Sequence, residues 1–283
     1  MSAFKERIAH IVFMVAATVC IVAVALICIF LFINGIPAIL KIGPIEFLTS
    51  NVWRPSNDEF GIFAMIIGSI YVTAGALVIG VPLGLFCAIF LSRFAYKKIV
   101  KILKPGVELL AGIPSVVYGF FGLVMIVPII RTVFGVQGMG ILAASIILGI
   151  MILPTIITVS KSALDAVPEN YYEGALALGA NHERCVFRIV LPAAVSGIMA
   201  AIILGVGRAI GETMAVVMIA GNQVRLPQGI MDGVRTMTGN IVLEMGYAAD
   251  LHREALIGTA VVLFVFILII NLLFSLLKRR ARV

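Results

Sequence analysis

Charge is scarce in this chain. Only 12% of its 283 residues are Asp, Glu, Lys or Arg, while 62% are hydrophobic. A water-soluble fold of this length carries about a quarter of its residues charged, so the composition excludes an ordinary soluble domain. Cysteine is also rare. The four that occur (Cys20, Cys28, Cys87 and Cys185) have no metal-ligand spacing, and three lie in hydrophobic runs. A disulfide-stapled secreted module and a zinc cluster are therefore both excluded. There are three histidines, and only His10 borders a hydrophobic run. With no paired carboxylates in the runs either, an intramembrane enzyme is a poor reading. No G-x-x-x-x-G-K-[ST] loop occurs, so any nucleotide hydrolysis has to take place in a partner. No cofactor or metal is expected.

What the chain does have is length without charge. Ile11–Ile33, Gly61–Leu91, Leu109–Ile130, Thr132–Ser160, Ile189–Gly207 and Ala255–Leu277 are charge-free runs of 23, 31, 22, 29, 19 and 23 residues. Each is long enough to cross a hydrocarbon core of roughly 30 Å as a helix. None alternates in the way a membrane barrel strand does. The expected fold is an all-α polytopic membrane protein with six transmembrane helices in one domain over residues 1–283. The first run follows Lys5 and Arg7 as a signal peptide would. It is too long for a signal h-region and lacks a small-x-small cleavage site, so it reads as an uncleaved anchor.

The net charge of +7 is a topology signal. With both termini placed in the cytoplasm, 14 Lys and Arg fall inside and 6 outside, while Arg208 lies within a hydrophobic segment. That asymmetry satisfies the positive-inside rule. It makes the bilayer, and not nucleic acid, the partner of the basic clusters. The same count puts Arg93–Lys104 and the long segment 161–192 in the cytoplasm. Asn34–Phe60 and Gly221–Glu254 then lie outside, the latter partly helical. Trp53 is expected at the membrane interface, where amphipathic rings are favoured. Pro82, between Gly80 and Gly84, is expected to kink the second span.

Three motifs stand out. The first is Glu173-Gly174-Ala175, three residues, Gly179, nine residues, then Ile189-Val190-Leu191-Pro192. A short helix over Asp165–Leu178, with Pro168 near its start and a left-handed Gly179 at its end, would present small residues and one acid to another surface. An ordinary interface helix would show less of this spacing. The second is Arg208 and Glu212, placed on one face of a fifth span running to Ala220 by their i, i+4 separation, with Thr213 next to them. Buried charges are costly and usually face a bundle interior or a wet cavity. A structural ion pair is the competing reading, and Gly207 and Gly211 would admit a close helix neighbour. The third is Gly112-Ile113-Pro114-Ser115, followed by Tyr118 and Gly119, inside a third span from about Val107 to Ile130. A break there could aim backbone N–H groups, with the Ser115 and Tyr118 hydroxyls, at an anion. A packing kink explains it equally well.

The first motif is similar to E-A-A-x3-G-x9-I-x-L-P, the EAA signature of ABC-importer permeases, with Gly174 in place of the first Ala. Together with Leu109–Gly122 (LLAGIPSVVYGFFG) and Gly207–Asn222 (GRAIGETMAVVMIAGN), it makes the chain resemble, over nearly its whole length, the PstC family within the type I ABC-importer permeases. The resemblance implies a subunit without its own ATPase, in a bacterial inner membrane, that admits inorganic phosphate. It also implies a PstA-like second permease, a PstB-like ATPase dimer and a PstS-like phosphate-binding protein as partners. Glu173, Gly174, Ala175 and Gly179 would then couple to the ATPase, and Arg208, Glu212, Thr213, Ser115 and Tyr118 would line the substrate pathway. A permease for sulfate or molybdate is the nearest alternative, and an ion-coupled secondary transporter a more distant one.

Overall fold

A computed structural model describes residues 2–280 of the chain. Arg282 lies outside the described residues, as do the side chains of Lys5, Lys278, Arg279 and Arg280, all of which count towards the charge asymmetry. Among the described residues, six helical stretches are long and apolar enough to cross a membrane: Glu6–Ile42, Phe63–Phe94, Ser115–Phe134, Ile141–Asp165, His182–Gly211 and Asp250–Leu276.

The first is α1 (Ser2–Ile42), longer than its charge-free core because neither Asn34 nor Pro37 stops it. α2 (Pro44–Thr49) and a small hairpin of β1 (Trp53–Arg54) and β2 (Glu59–Phe60) then lead to α3 (Phe63–Ile89), which continues through Pro82 and a π-turn at Phe90–Phe94. Here the structure departs from the expected basic loop. Residues 97–112 form a helix, α4 (Lys97–Gly112), and the third span begins only at α5 (Ser115–Phe121). It runs on through a π-turn into α6 (Val127–Phe134). The chain continues with α7 (Ile141–Asp165), α8 (Glu169–Ala177), α9 (His182–Cys185), α10 (Leu191–Gly211), α11 (Met214–Ile219), α12 (Met237–Glu244) and α13 (Asp250–Arg280). The fifth span thus stops at Gly211, short of the expected Ala220.

Close packing of α3 on α7 forms the centre. A Cβ built on Gly80 would lie 2.7 Å from Ile152 and 2.9 Å from the Gly149 carbonyl, and one on Gly84 would lie 2.8 Å from Ile156. Glycine lets these backbones approach as small residues do in membrane helix pairs. Ile147, Leu148, Ile152 and Ile156 fill the seam and are fully buried. α10 joins on the other side, where Gly205 faces Ile156 and Gly197 faces Ala163. α1 touches α13 near Gly35 and Gly258 and is otherwise exposed, with apolar side chains from Ile8 to Phe30 facing outward. Such a surface is stable only against lipid or another helix.

The two ends of the bundle differ. One end carries α8 and α9 on a cluster of Ala88, Ile89, Leu164, Val167, Val186 and Val190. Arg93 fastens it, donating to the Leu164 carbonyl at 2.8 Å and pairing with Glu169 at 3.3 Å. At the other end Glu244, only 6% exposed, gathers Trp53 Nε1 at 2.8 Å, Arg235 Nη1 at 2.5 Å and His252 Nε2 at 2.8 Å. Burial of a carboxylate is tolerable only with partners of this kind. Trp53, expected at the membrane interface, is a buried tie between the hairpin and α12, packed edge-on against Phe60.

Candidate functional site

The residues expected to line a pathway lie around two interruptions of regular helix. The first separates α4 from α5. Ile113 and Pro114 adopt extended ψ values, because proline disfavours helix in the residue before it. Ser115 starts α5 half-buried, with no side-chain hydrogen bond among the described residues. Tyr118 is buried, and its hydroxyl donates across the break to the Leu110 carbonyl at 2.8 Å. It ties the two helices together and is not a free donor as expected.

The second interruption separates α10 from α11. Glu212 takes φ −69° and ψ 131° at the end of α10, and Thr213 is the N-cap of α11. Glu212 Oε1 accepts the Ala215 N–H at 3.1 Å, which caps α11 with a negative charge where the helix dipole favours one. Its carbonyl accepts from Thr238 Oγ1 at 3.2 Å. Thr213 Oγ1 donates to the Gly211 carbonyl at 3.2 Å. Glu212 is thereby fixed from both sides.

Arg208 does not use it. Among the described residues no carboxylate lies within salt-bridge distance of Arg208, and the break at Glu212 removes the continuous face that the i, i+4 spacing assumed. The one hydrogen bond of its guanidinium among the described residues is Nη1 to Thr155 Oγ1, at 3.2 Å. Thr155 lies near the middle of α7, with 14 residues before it from Ile141 and 10 after it to Asp165. A guanidinium has five donors, so most remain available to a ligand.

The two breaks adjoin. A Cβ on Gly119 would come within 2.9 Å of Ala215 Cα, so α5 packs directly on α11. By contrast Gly112, Gly207 and Gly211 have no atom of another element within 4 Å of a built Cβ. The Gly207–Gly211 stripe therefore does not receive a helix of this chain, contrary to the close neighbour its spacing allowed. Irregular backbone at membrane depth survives only where protein buries it or where it lines a wet cavity. The sequence reading missed Thr155 and Thr238. Each is a lone hydroxyl in an apolar stretch, and only the folded positions show what they hold.

The EAA residues form a separate place. Asp165 closes α7, so the short helix is α8 from Glu169 to Ala177 and not the longer one expected from Asp165. Gly179 takes φ +86°. Its N–H donates to the Leu176 carbonyl and that of Ala180 to the Ala175 carbonyl, at 2.9 and 3.1 Å. This is a Schellman ending, for which glycine is favoured. No residue of α8 is buried, a Cβ on Gly174 meets nothing within 4 Å, and Leu178 beyond it is 90% exposed. Glu173 is exposed, with no ion pair among the described residues. An exposed small-residue surface with an apolar tip suits docking.

The chain matches known proteins both in sequence and in fold. The family described as "Binding-protein-dependent transport system inner membrane component" matches residues 80–283. The chain is 41% identical to a probable ABC transporter permease, YqgH, of Bacillus subtilis, over 92% of this chain and 87% of that protein. It is 34% identical to the phosphate transport system permease PstC of Mesorhizobium japonicum, over 95% and 88% of the two chains. Its fold matches the inward-facing MetNI methionine ABC transporter at a TM-score of 0.61, with 19% identity, over 81% of this chain and 99% of that one. The architecture is that of a type I ABC-importer permease. Such a subunit works with an ATPase and a substrate-binding protein. The chain belongs to the binding-protein-dependent transport system inner membrane components, on their PstC branch, and is a multi-pass permease of the inner membrane.

Proposed function

We propose that the chain is the PstC-type subunit of an ATP-driven importer that carries inorganic phosphate into the cytoplasm. The observation that carries this reading is Arg208, a permanent charge with most of its donors unused, beside two adjoining helix breaks. A planar guanidinium matches two phosphate oxygens, and it stays charged when buried. The PstC name of several relatives supports phosphate over other oxyanions. In this reading Ser115, Tyr118, Glu212 and Thr213 shape the pathway around Arg208. Tyr118 and Glu212 act by holding the breaks open, and Ser115 by offering a hydroxyl. Residues 1–283 act as one permease domain, in which the segment at about 161–192 couples to a PstB-like ATPase dimer through Glu173, Gly174, Ala175 and Gly179. A PstA-like permease covers the exposed face of α1, and a PstS-like protein delivers phosphate from outside.

The test is uptake by the complete transporter in proteoliposomes, with its binding protein and internal ATP supplied. Labelled phosphate should accumulate, excess arsenate should compete, and excess sulfate should leave uptake unchanged. Sulfate competing as well as arsenate would replace phosphate with a broader oxyanion substrate. Accumulation without ATP, driven by an ion gradient alone, would refute the importer reading.

Orientation follows the charge asymmetry, with both termini and α8 in the cytoplasm. In a variant lacking the native cysteines, Asn57→Cys should react with a membrane-impermeant maleimide in intact cells. Leu178→Cys should react only after permeabilisation. The reverse pattern would invert the topology.

A further inference from the structure

The helix α4 meets the transport reading only at its last turn, where Tyr118 holds the Leu110 carbonyl, and its lysines and apolar side chains segregate to different sides. Lys97, Lys101, Lys104 and Glu108 follow one another at i, i+4, i+7 and i+11, which aligns them in one stripe, with Lys98 alongside. Ile99, Leu103 and Leu110 occupy the opposite face, with Val107 on one flank and Ile102 and Leu109 on the other, beside Lys98. Part of this apolar surface rests on protein, since Val107 and Leu110 are half-buried and α4 touches α7. The rest does not, since Ile102 is 75% exposed and Leu109 73%. Only Lys104 has a carboxylate partner among the described residues, Glu108 at 3.8 Å, so Lys97, Lys98 and Lys101 are left unpaired there.

We propose that α4 is an interfacial anchor whose lysine stripe binds the headgroups of anionic phospholipids. Three observations favour lipid over water or protein. The helix follows directly on the span that ends at Phe94, which keeps its lysine-bearing first turns at one bilayer face, while its last turn leads inward to the break before α5. Its exposed apolar side chains continue the exposed apolar belts of the neighbouring spans, Phe86 on α3, Phe90 on the π-turn after it, and Val116, Val117 and Phe120 on α5. A solvated helix would leave Ile102 and Leu109 in water, whereas an interfacial one buries them in the acyl region and keeps the ammonium groups at headgroup level. The unpaired lysines then face phosphate-bearing lipids, which attract clustered basic residues close to a membrane surface. Arg93, which precedes α4, pairs with Glu169 at the start of α8, so lipid bound here would steady the segment proposed to dock the ATPase. The lipid site itself does not depend on the identity of the transported ion.

The experiment uses the complete transporter in nanodiscs of phosphatidylcholine with a minor fraction of phosphatidylglycerol, read by native mass spectrometry after mild release. The parent should retain phosphatidylglycerol in preference to phosphatidylcholine. Lys97→Gln, Lys98→Gln, Lys101→Gln and Lys104→Gln together should weaken that retention by roughly a hundredfold. Arg184→Gln with Arg188→Gln, at the same end of the bundle, should leave it unchanged. In the parent itself raised salt should release phosphatidylglycerol but not phosphatidylcholine, a reading that stands even if the fourfold variant fails to insert. Retention by the fourfold variant equal to the parent's, or no salt effect in the parent, overturns the proposal. So does unchanged lipid retention combined with loss of the ATPase from the fourfold variant, which would assign the lysines to the partner protein.

Discussion

Replacing Arg208 with glutamine is expected to lower phosphate uptake by about a hundredfold while the transporter still assembles. The magnitude follows from the charged hydrogen bonds that a glutamine amide cannot make. A hydrogen bond between charged groups contributes roughly 1.5–3 kcal/mol, and every 1.4 kcal/mol is a factor of ten. Removing a paired interaction with two phosphate oxygens therefore takes away at least two decades. Arg208→Lys keeps the charge without the planar fork, so its uptake should fall by about tenfold, between parent and glutamine variant. Thr155→Val removes only the hydroxyl that Arg208 Nη1 engages and should cost a few-fold by letting the guanidinium wander. Glu212→Gln should be mild, because an amide oxygen can still accept the Ala215 N–H that Glu212 caps. The measurement is initial uptake in proteoliposomes, normalised to the amount of complex recovered on an affinity-tagged ATPase. A glutamine variant that assembles and transports like the parent removes Arg208 from the pathway. One that fails to assemble makes the Arg208–Thr155 hydrogen bond a structural lock between α10 and α7.

The spans were legible in the sequence because hydrocarbon imposes a length: six runs without charge had to become six helices. The EAA ending was legible for a similar reason, since a glycine directly after the apolar helical turn Ala175–Leu178 has one common use, and Gly179 takes it at φ +86°. What the sequence concealed were places where hydropathy and backbone disagree. The Gly112–Ser115 break was legible as one of two readings, but the charge-free run from Leu109 hid the separate helix before it, so the end of α4 reads as the start of the third span. The apolar stretch after Gly207 hid the break at Glu212, because Met214–Ile219 resumes a helix with the same composition. The expected Arg208–Glu212 pair failed for this reason, as the spacing counted residues along a helix that stops between them. Glu244 could not have been found, since Trp53 reaches it from a distant part of the chain, and Arg235 and His252, close in sequence, turn onto it only through the fold around α12. The partner of Trp53 was hidden for the same reason: its indole N–H donates to a carboxylate 191 residues away.

Enlarging the face of α8 is expected to separate ATP hydrolysis from transport. Ala175→Trp adds a ring in the middle of the EAA segment, and Gly174→Leu adds a side chain where the chain itself offers no atom within 4 Å. Gly174→Leu is the cleaner change, because nothing within this chain resists it and leucine favours a helix by about 1 kcal/mol over glycine. Any loss it causes must arise at a surface supplied by a partner. If α8 seats in a groove of the ATPase, overpacking there should cost about 1–3 kcal/mol of docking, a loss of roughly five- to a hundredfold in affinity. Uptake should fall with it, while insertion and the thermal stability of the isolated permease remain as in the parent. The ATPase activity that persists should no longer rise when the binding protein arrives with phosphate. Ala175→Trp is expected to be the more severe, because Ala175 is already half-buried and the ring has less room to turn aside. Uptake and ATPase co-purification both equal to the parent's in Gly174→Leu would show that α8 is not the docking element. A fall in stability of the isolated permease would place the defect inside this chain, against an open face in which Gly174 has no neighbour and Leu178 stands almost wholly exposed.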